Sequence, residues 1–331
     1  MIKIQRIILT KGPLGYLLQK SKHWYLPGFE GLPLYDVMRF FYRQVKTHGL
    51  QERASAVSYN FIMALPPFML FVFTLIPHLP FISKKNLKLQ LHAIIRDIIP
   101  GPQYNKEVIR FIDTLINNSQ FGLLSLGLIL ALWFSSNAMM RLMRSFNKKN
   151  IGFGRRPGLH KRWIAIKLIM IIFALLLAYL ILLISQGALL LWLIKDPFWI
   201  QVISYTRWIF IILLVYLIIG FIYQYAPAVH NRWKFNNPGT ILATCLSILS
   251  SFIFSTYVDN FSRYNALYGS IGTVIMVMAL IFVNSLALLI GFELNASITA
   301  LKHIAADRKV REAEEALQQR AEQKKGNRLR D

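Results

Sequence analysis

The chain has 331 residues, of which 55% are hydrophobic and only 16% carry a charged side chain. Soluble domains hold about 45–50% apolar and about 25% charged residues, so this composition excludes an ordinary soluble protein. The net charge of +23 leaves two alternatives, a nucleic-acid binder or a membrane protein whose basic residues gather in cytoplasmic loops. A single cysteine, Cys245, excludes a disulfide framework and a multi-cysteine metal site.

Six apolar runs are long enough to cross a bilayer, which takes about 20 residues in a helix. They cover roughly residues 54–77, 120–140, 163–194, 206–226, 239–258 and 270–292. These runs predict an all-α fold, that of a polytopic integral membrane protein with six transmembrane helices. The domains we predict are an N-terminal cytoplasmic or interfacial segment, a transmembrane domain and a charged cytoplasmic tail, over residues 1–52, 53–300 and 301–331.

Three segments outside the runs have helical patterns of their own. Residues 34–45 predict an interfacial helix before the first span. Residues 84–99 and 105–118 each place apolar residues on one helical face, with Pro100-Gly101-Pro102 between them. They predict an amphipathic helical hairpin on the outer surface of the membrane. The tail is helix-prone and charged, which is typical of a frayed, solvated end.

The positions of the basic residues decide between the two alternatives. Residues 1–53, 141–162, 227–238 and 302–331 hold nine, eight, two and nine Lys and Arg, which is 28 of the 38 in the chain. These segments alternate with the other connections, as the excess of basic residues in cytoplasmic loops requires. We therefore predict an inner-membrane protein with both termini in the cytoplasm, and the charge needs no nucleic-acid partner.

Nothing in the sequence indicates an enzyme. The seven histidines form no HxxxH, HxH or HxxE pair, and no acidic cluster lies beside one. Catalysis by bound metal needs several ligands that converge on each ion. Because nucleophile-elbow, phosphate-loop and dinucleotide motifs are also absent, we predict no catalytic residue, no metal and no cofactor.

The polar residues of the last span are the main candidate site. Asn284 and Asn295 share one helical stripe, whereas Glu293 points elsewhere. Ionisable groups at membrane depth are costly and usually pair within the bundle. We predict that Glu293 pairs with Arg141 or Arg144, which lie with Asn137 at the end of the second span. A structural ion pair and a role in substrate or proton movement remain equal alternatives.

The first span contains Pro66-Pro67, which removes two amide donors from the helix. The pair predicts a kink, which is either static or part of a hinge or binding notch. Our hypothesis for a substrate or ion path therefore includes both prolines together with the polar residues above, that is Glu293, Asn295, Asn284, Arg141, Arg144, Asn137, Pro66 and Pro67.

Three stretches of the sequence are distinctive, namely "ERASAVSYNFIMALPPFMLF", "GLLSLGLILALWFSSNAMMRLMRSFNKKNIG" and "YGSIGTVIMVMALIFVNSLALLIGFELNASI". On these stretches the chain resembles the YihY/BrkB family of bacterial inner-membrane proteins, and the likeness covers roughly residues 50–300. The last stretch has the family's Tyr-Gly-Ser-x-Gly start and Gly-x-Glu-x-Asn end, but "VMALIFVN" stands where a tryptophan is common. The resemblance implies a six-helix fold with both ends in the cytoplasm.

Members of that family are discussed as transporters, including of lipid or envelope precursors, and some were formerly labelled ribonuclease BN. The resemblance implies a transporter of an amphiphilic or lipid-like envelope substrate, with membrane lipids as its surroundings. The alternative is a non-transporting scaffold in envelope assembly, and an intramembrane enzyme comes third. A transporter should have a polar, water-accessible cavity between its spans, whereas a scaffold should have a dry core. The sequence leaves oligomerisation open.

Overall fold

The computed structural model describes residues 20–47, 49–75, 92, 109–110, 113–114, 121–146, 153–154, 156–193, 197–229, 231–260 and 262–328. These residues form seven helices, and the β structure among them is one isolated bridge between Phe153 and Val229. In chain order the helices are α1 (Leu34–Thr47), α2 (Leu50–Leu75), α3 (Phe121–Phe146), α4 (Gly158–Leu193), α5 (Pro197–Tyr225), α6 (Pro238–Asn260) and α7 (Ser262–Arg328). The predicted all-α fold is confirmed.

Helices α2 to α7 are each long and apolar enough to cross a membrane. Their candidate spans lie at Leu50–Val72, Leu124–Phe146, Gly158–Tyr179, Trp208–Tyr225, Pro238–Thr256 and within Val274–Gln319. The six predicted spans are therefore confirmed. Helix α4 has 36 residues, or about 54 Å at 1.5 Å per residue, and so exceeds the hydrocarbon thickness of about 30 Å, as its long apolar run predicts.

The six spans pack in a closed ring. Each contacts the next one along the chain, and α7 contacts α2 as well as α6. Large apolar side chains face outward on several spans, with exposed fractions of 63% for Ile129, 65% for Trp208 and 70% for Phe252. Such a surface is costly in water and favourable against lipid, so the exposed apolar faces agree with a membrane-spanning bundle.

The buried core is concentrated at one end of the ring, where α2, α4 and α6 begin and α3 and α5 end. Most of the large, fully buried side chains lie there, including Met139, Leu142, Leu168 and Leu289. We call this the basic end, because Arg53, Arg144, Arg156, Lys167 and Arg232 lie there. The short helix α1 packs its Val37 against Leu294 and Ile298 of α7 at the same end.

Three further predictions have different outcomes. The helix predicted before the first span is confirmed as α1. Most of the predicted outer hairpin lies outside the described residues, although His92 Nε2 lies 3.0 Å from Asp113 Oδ1 and so joins its two segments. Helix α7 continues without a break through the predicted tail to Arg328, and the division of the chain into three domains stays a prediction.

Candidate functional site

Glu293 forms a buried ion pair, but with Arg53 of α2. Arg53 Nη1 donates to Glu293 Oε1, and Arg53 Nη2 donates to the backbone carbonyl of Ser145 at the end of α3. Only 1% of Glu293 and 7% of Arg53 is exposed. The prediction that Arg141 or Arg144 is the partner is wrong, because both side chains are exposed and the ion pair instead joins α7 to α2.

The pair has a structural consequence that an exposed ion pair would not have. Both charges are removed from solvent, so each depends on the other to offset the free energy of desolvation. Arg53 contacts the carboxylate of α7 and a carbonyl of α3 at once, and thereby links three helices at the basic end. Its Nε has no hydrogen-bond partner among the described residues, so the guanidinium is only partly satisfied there.

Asn295 makes a second set of contacts, with the beginning of α6. Its Oδ1 accepts a hydrogen bond from the Gly239 backbone N–H at 2.8 Å, and its Nδ2 donates to Asn237 Oδ1 at 2.6 Å. Asn237 Oδ1 also accepts from the Thr240 N–H at 2.8 Å. Asn237 is thus the N-cap of α6, and Pro238 occupies the first helical position, where proline is favoured. The first N–H groups of α6, which lack partners within the helix, are satisfied from two sides.

Gly239 and Gly291 let α6 and α7 approach closely beside this cap. A Cβ added to Gly291 would lie 2.5 Å from the carbonyl oxygen of Gly239 and 2.7 Å from Ala243 Cβ. Tyr223 Oη of α5 donates to the Leu288 carbonyl at 2.5 Å on the same face of α7. The predicted stripe of α7 therefore faces α6 and α5. Glu293 points away from this stripe, as its spacing indicates, and contacts α2.

Aromatic rings fill the space between these polar contacts. The rings of Phe146 and Phe292 are stacked at a centroid distance of 4.2 Å, and Trp233 lies 5.6 Å from Phe292. Phe153, from the loop before α4, contacts both Trp233 and Phe292 edge-on. These four rings exclude water around the helix ends, which strengthens the ion pair nearby.

An apolar cavity of about 260 Å³ lies between α2, α3 and α4, away from the ion pair. Phenylalanine, leucine, isoleucine and alanine side chains form most of its walls, and of the lining residues that the structure describes Ser135 is the one with a polar side chain. On α2 its lining runs from Phe61 to Phe71, so the cavity lies alongside the Pro66-Pro67 segment. The helix continues through both prolines, and whether they bend it remains a prediction.

The other predicted site residues are not gathered at one place. Asn284 Nδ2 donates to the Leu280 carbonyl of its own helix at 3.0 Å, so its amide is satisfied locally. Asn137 is half-buried on α3, whereas Pro66 of α2 is exposed. The structure therefore brings Glu293 and Asn295 to the basic end with new partners, and the path as a whole stays a hypothesis.

Sequence reasoning missed the residues that complete the site. Arg53 has no local signal beyond its positive charge before the first span, although its position at the start of α2 places it at the depth of Glu293. The run Asn237-Pro238-Gly239 carried a readable signal, since asparagine and then proline mark a helix start. No local pattern indicated Tyr223, because its partner lies 65 residues further along the chain.

Among the described residues, no three side chains of His, Cys, Asp or Glu lie together in a way that would hold a metal ion. The chemistry that this region offers is a fixed charge pair, a capped helix start and an apolar cavity.

Comparison with known proteins places this architecture in a family. The model of the family described as virulence factor BrkB matches residues 41–317, which is most of the chain. The chain belongs to the BrkB family. The match covers five candidate spans in full, the sixth as far as residue 317, and every residue of the ion pair and of the α6 cap.

Relatives of this BrkB-family chain match over most of their length. One of them, named "Putative ribonuclease-like protein YfkH", from Bacillus subtilis (strain 168), is 30% identical over 78% of this chain and 93% of its own. A UPF0761 membrane protein of Mannheimia succiniciproducens is 24% identical over 80% of this chain and 90% of its own. Another, from Tolumonas auensis, is 22% identical over 88% and 94%. No solved structure matches the chain with significance. The chain is therefore a membrane protein of this family.

Proposed function

We propose that this BrkB-family protein moves an amphiphilic, lipid-like molecule of the cell envelope, with an acyl chain held in the cavity between α2, α3 and α4. The observation that carries the proposal is the apolar lining of that cavity of about 260 Å³. An apolar cavity of about 150 Å³ is large enough to bind a molecule the size of benzene, so this one has room for part of a hydrocarbon chain.

The cavity suits a hydrocarbon chain better than water. Within the described part of the chain its lining offers one polar side chain, the hydroxyl of Ser135, and that is too few partners for ordered water. Phe71 and Phe173 of its wall lie with ring centroids 5.4 Å apart. An acyl chain there would gain dispersion contacts with these rings and with the neighbouring aliphatic side chains.

The wall of the cavity on α2 contains a segment that can bend, and bending would change the width of the cavity. Pro66 and Pro67 remove two amide donors from the middle of α2, which weakens the hydrogen-bond ladder beside the cavity. A bend at this point would widen or narrow the space between α2 and α4. The two prolines are thus the hinge in this proposal.

We place the basic end in the cytoplasm, with both chain termini on that side of the bacterial inner membrane. The support is the concentration of 28 of the 38 basic residues in alternate connections and at the two ends of the sequence. In this orientation the Arg53–Glu293 pair fixes the helix ends on the cytoplasmic side, while the substrate moves through the membrane.

A non-transporting scaffold is the second candidate, and one observation favours it. The basic end is tightly packed and apolar around its ion pair, with Phe146, Phe292 and Leu289 fully buried. A polar, water-accessible cavity between the spans is the sequence-based expectation for a transporter, whereas the cavity that the described residues form between α2, α3 and α4 is apolar, which favours the scaffold. A lipid-like cargo reconciles an apolar cavity with transport, and a rigid scaffold needs no cavity. We propose no enzymatic activity.

A lipid-movement assay tests the proposal. The protein is reconstituted in vesicles with a fluorescent phospholipid, and the rate of its transfer between leaflets is measured. Leu128→Trp, which adds bulk to a cavity wall, should reduce the rate, whereas Ile129→Trp, on the outward face of the same helix, should not. Equal rates for empty vesicles and for vesicles with the protein would refute transport of this lipid class and favour the scaffold.

A further inference from the structure

A second cavity, of about 210 Å³, lies at the basic end between the beginning of α4 and the end of α5. Of the nine described residues that line it, none is acidic and four are basic, namely Arg156, His160, Lys167 and Arg232. Among the described residues, none of these four forms an ion pair with a carboxylate. The cavity is therefore a concentration of positive charge without an internal counter-ion.

Lys167 makes this arrangement costly in a membrane. It lies nine residues after the start of α4, or about 14 Å along the helix axis, inside the candidate span Gly158–Tyr179. Its neighbours Ile166 and Leu168 are apolar, and its Nζ lies 5.7 Å from the Tyr225 ring centre. A charged amine at this depth needs either a path to the membrane surface or an anion that reaches it.

The two arginines of the cavity, Arg156 and Arg232, both contact the end of α5. Arg156 donates to the carbonyl oxygens of Tyr225 and Pro227, at 3.0 and 2.8 Å, and so caps the end of α5. Arg232 stacks over the Tyr225 ring at 5.4 Å. Burial, and then the positive charge of Arg232, lower the pKa of Arg156. An anion bound between the two guanidinium groups would offset their mutual repulsion.

We propose that this cavity binds the phosphate headgroup of an anionic phospholipid from the surrounding bilayer. Basic pockets between transmembrane helices commonly hold such headgroups at the cytoplasmic membrane surface. A lipid fits better than free phosphate because the same face of α4 continues into apolar surface. His160, Trp163, Lys167 and Ile171 lie at positions i, i+3, i+7 and i+11 of this face and all line the cavity.

The order of these side chains along α4 matches the order of groups in a lipid. His160 and the exposed Trp163, at 69% exposure, lie near the helix start, where headgroups are found. Ile171 lies about 16 Å further along the axis than His160, at the level of an acyl chain. A larger cavity with many polar lining residues also lies at the basic end. It is a weaker candidate for an anion-binding site, because its wall contains the carboxylate of Glu30, which already pairs with Lys302.

The binding test uses native mass spectrometry of the full-length protein during titration with phosphatidylglycerol, phosphatidylcholine or inorganic phosphate. The test variant is Lys167→Gln with Arg232→Gln. Its matched control is Arg141→Gln with Arg144→Gln, which removes the same two charges from exposed positions on α3 outside the cavity. The site proposed here is separate from the α2–α3–α4 cavity, so the result does not depend on transport.

We expect phosphatidylglycerol to bind the unaltered protein in preference to phosphatidylcholine, and the test variant to lose about tenfold to thirtyfold in affinity. The control variant should lose less than about threefold, since it removes only general surface attraction. Equal losses in the two variants would overturn the proposal. Equal binding of the two lipids would also overturn it. Displacement of phosphatidylglycerol by inorganic phosphate at equal concentration would overturn it too, because the site would then be one for free phosphate. If the double variant does not fold, Lys167→Gln alone decides between these outcomes.

Discussion

Replacement of Glu293 by glutamine tests directly whether the Arg53–Glu293 ion pair stabilises the basic end. The change keeps the shape of the side chain and its ability to accept a hydrogen bond, but it removes the negative charge beside Arg53. Arg53 would retain its bond to the Ser145 carbonyl and would otherwise be a buried, uncompensated cation. Removal of one partner from a buried pair costs about 3–5 kcal/mol of folding free energy. We therefore expect Glu293→Gln to be strongly destabilised.

A second ion pair in the same chain provides the control. Glu30 pairs with Lys302, but their side chains are 49% and 60% exposed, against 2% for Glu293. Exposed pairs contribute about 0–1 kcal/mol, so Glu30→Gln should leave stability almost unchanged. The assay is thermal unfolding in one detergent, repeated by titration with sodium dodecyl sulfate. Each variant is compared with the unaltered protein at matched protein and lipid content.

A double-variant cycle separates the pair from its surroundings. Arg53→Gln in the Glu293→Gln background should recover part of the lost stability, because the unpaired cation is gone. If Glu293→Gln unfolds at the same temperature as Glu30→Gln, the structural interpretation of the pair is refuted. Loss of transport at full stability would then assign the carboxylate to substrate or proton movement. Full stability together with full transport would leave Glu293 without either role.

Three further outcomes are expected. Gly291→Ala should lower the unfolding temperature far more than Gly122→Ala. A Cβ at position 291 would lie 2.5 Å from a carbonyl oxygen of α6, whereas a Cβ at position 122 would have no atom within 4 Å. With Cys245 replaced by alanine, a cysteine at Asn231 should be protected from impermeant thiol reagents in intact cells, and one at Asn260 should be labelled; the reverse pattern would overturn the orientation. Purified protein should not cleave RNA with added divalent metal, and cleavage abolished by a single substitution would contradict this.

The membrane-spanning architecture could be predicted because it depends on local composition. A run of about 20 apolar residues has few alternatives to a spanning helix, and each of the six runs became one. Boundaries differ where polar residues continue a helix, as at Arg144 and Ser145, which lie in α3 beyond the predicted residue 140. Hydrophobicity indicates where a helix enters the membrane, not where its backbone hydrogen bonds end.

The ion pair could be predicted only in part, because it joins residues 240 positions apart. Glu293 was recognisable as an acid at the edge of a span, and its need for a cation followed from its depth. Arg141, Arg144 and Arg53 are all basic residues at the same end of the bundle, and composition does not rank them. The ring closure that brings α7 against α2 makes the choice, and no pattern within either helix encodes it.

Helix starts and isolated charges are more predictable from sequence than the ion pair but less predictable than the membrane spans. Asn237 and Pro238 carry a local signal for the start of α6, but the additional cap from Asn295 depends on tertiary packing. Lys167 was visible as a basic residue inside an apolar run, whereas its neighbours Arg156 and Arg232 come from two separate loops. A cavity built from three parts of the chain becomes evident only in the folded structure.

The most direct measurement of the central claim is photo-crosslinking of an acyl chain to the reconstituted protein. A phospholipid with a diazirine near the end of one chain is activated in vesicles, and the labelled residues are identified by mass spectrometry. Our account predicts labelling of residues that line the α2–α3–α4 cavity, such as Phe68 and Leu132, and its loss in Leu128→Trp but not in Ile129→Trp. Labelling confined to outward-facing residues such as Ile129 and Phe252 would contradict it, because the cavity would then hold no chain.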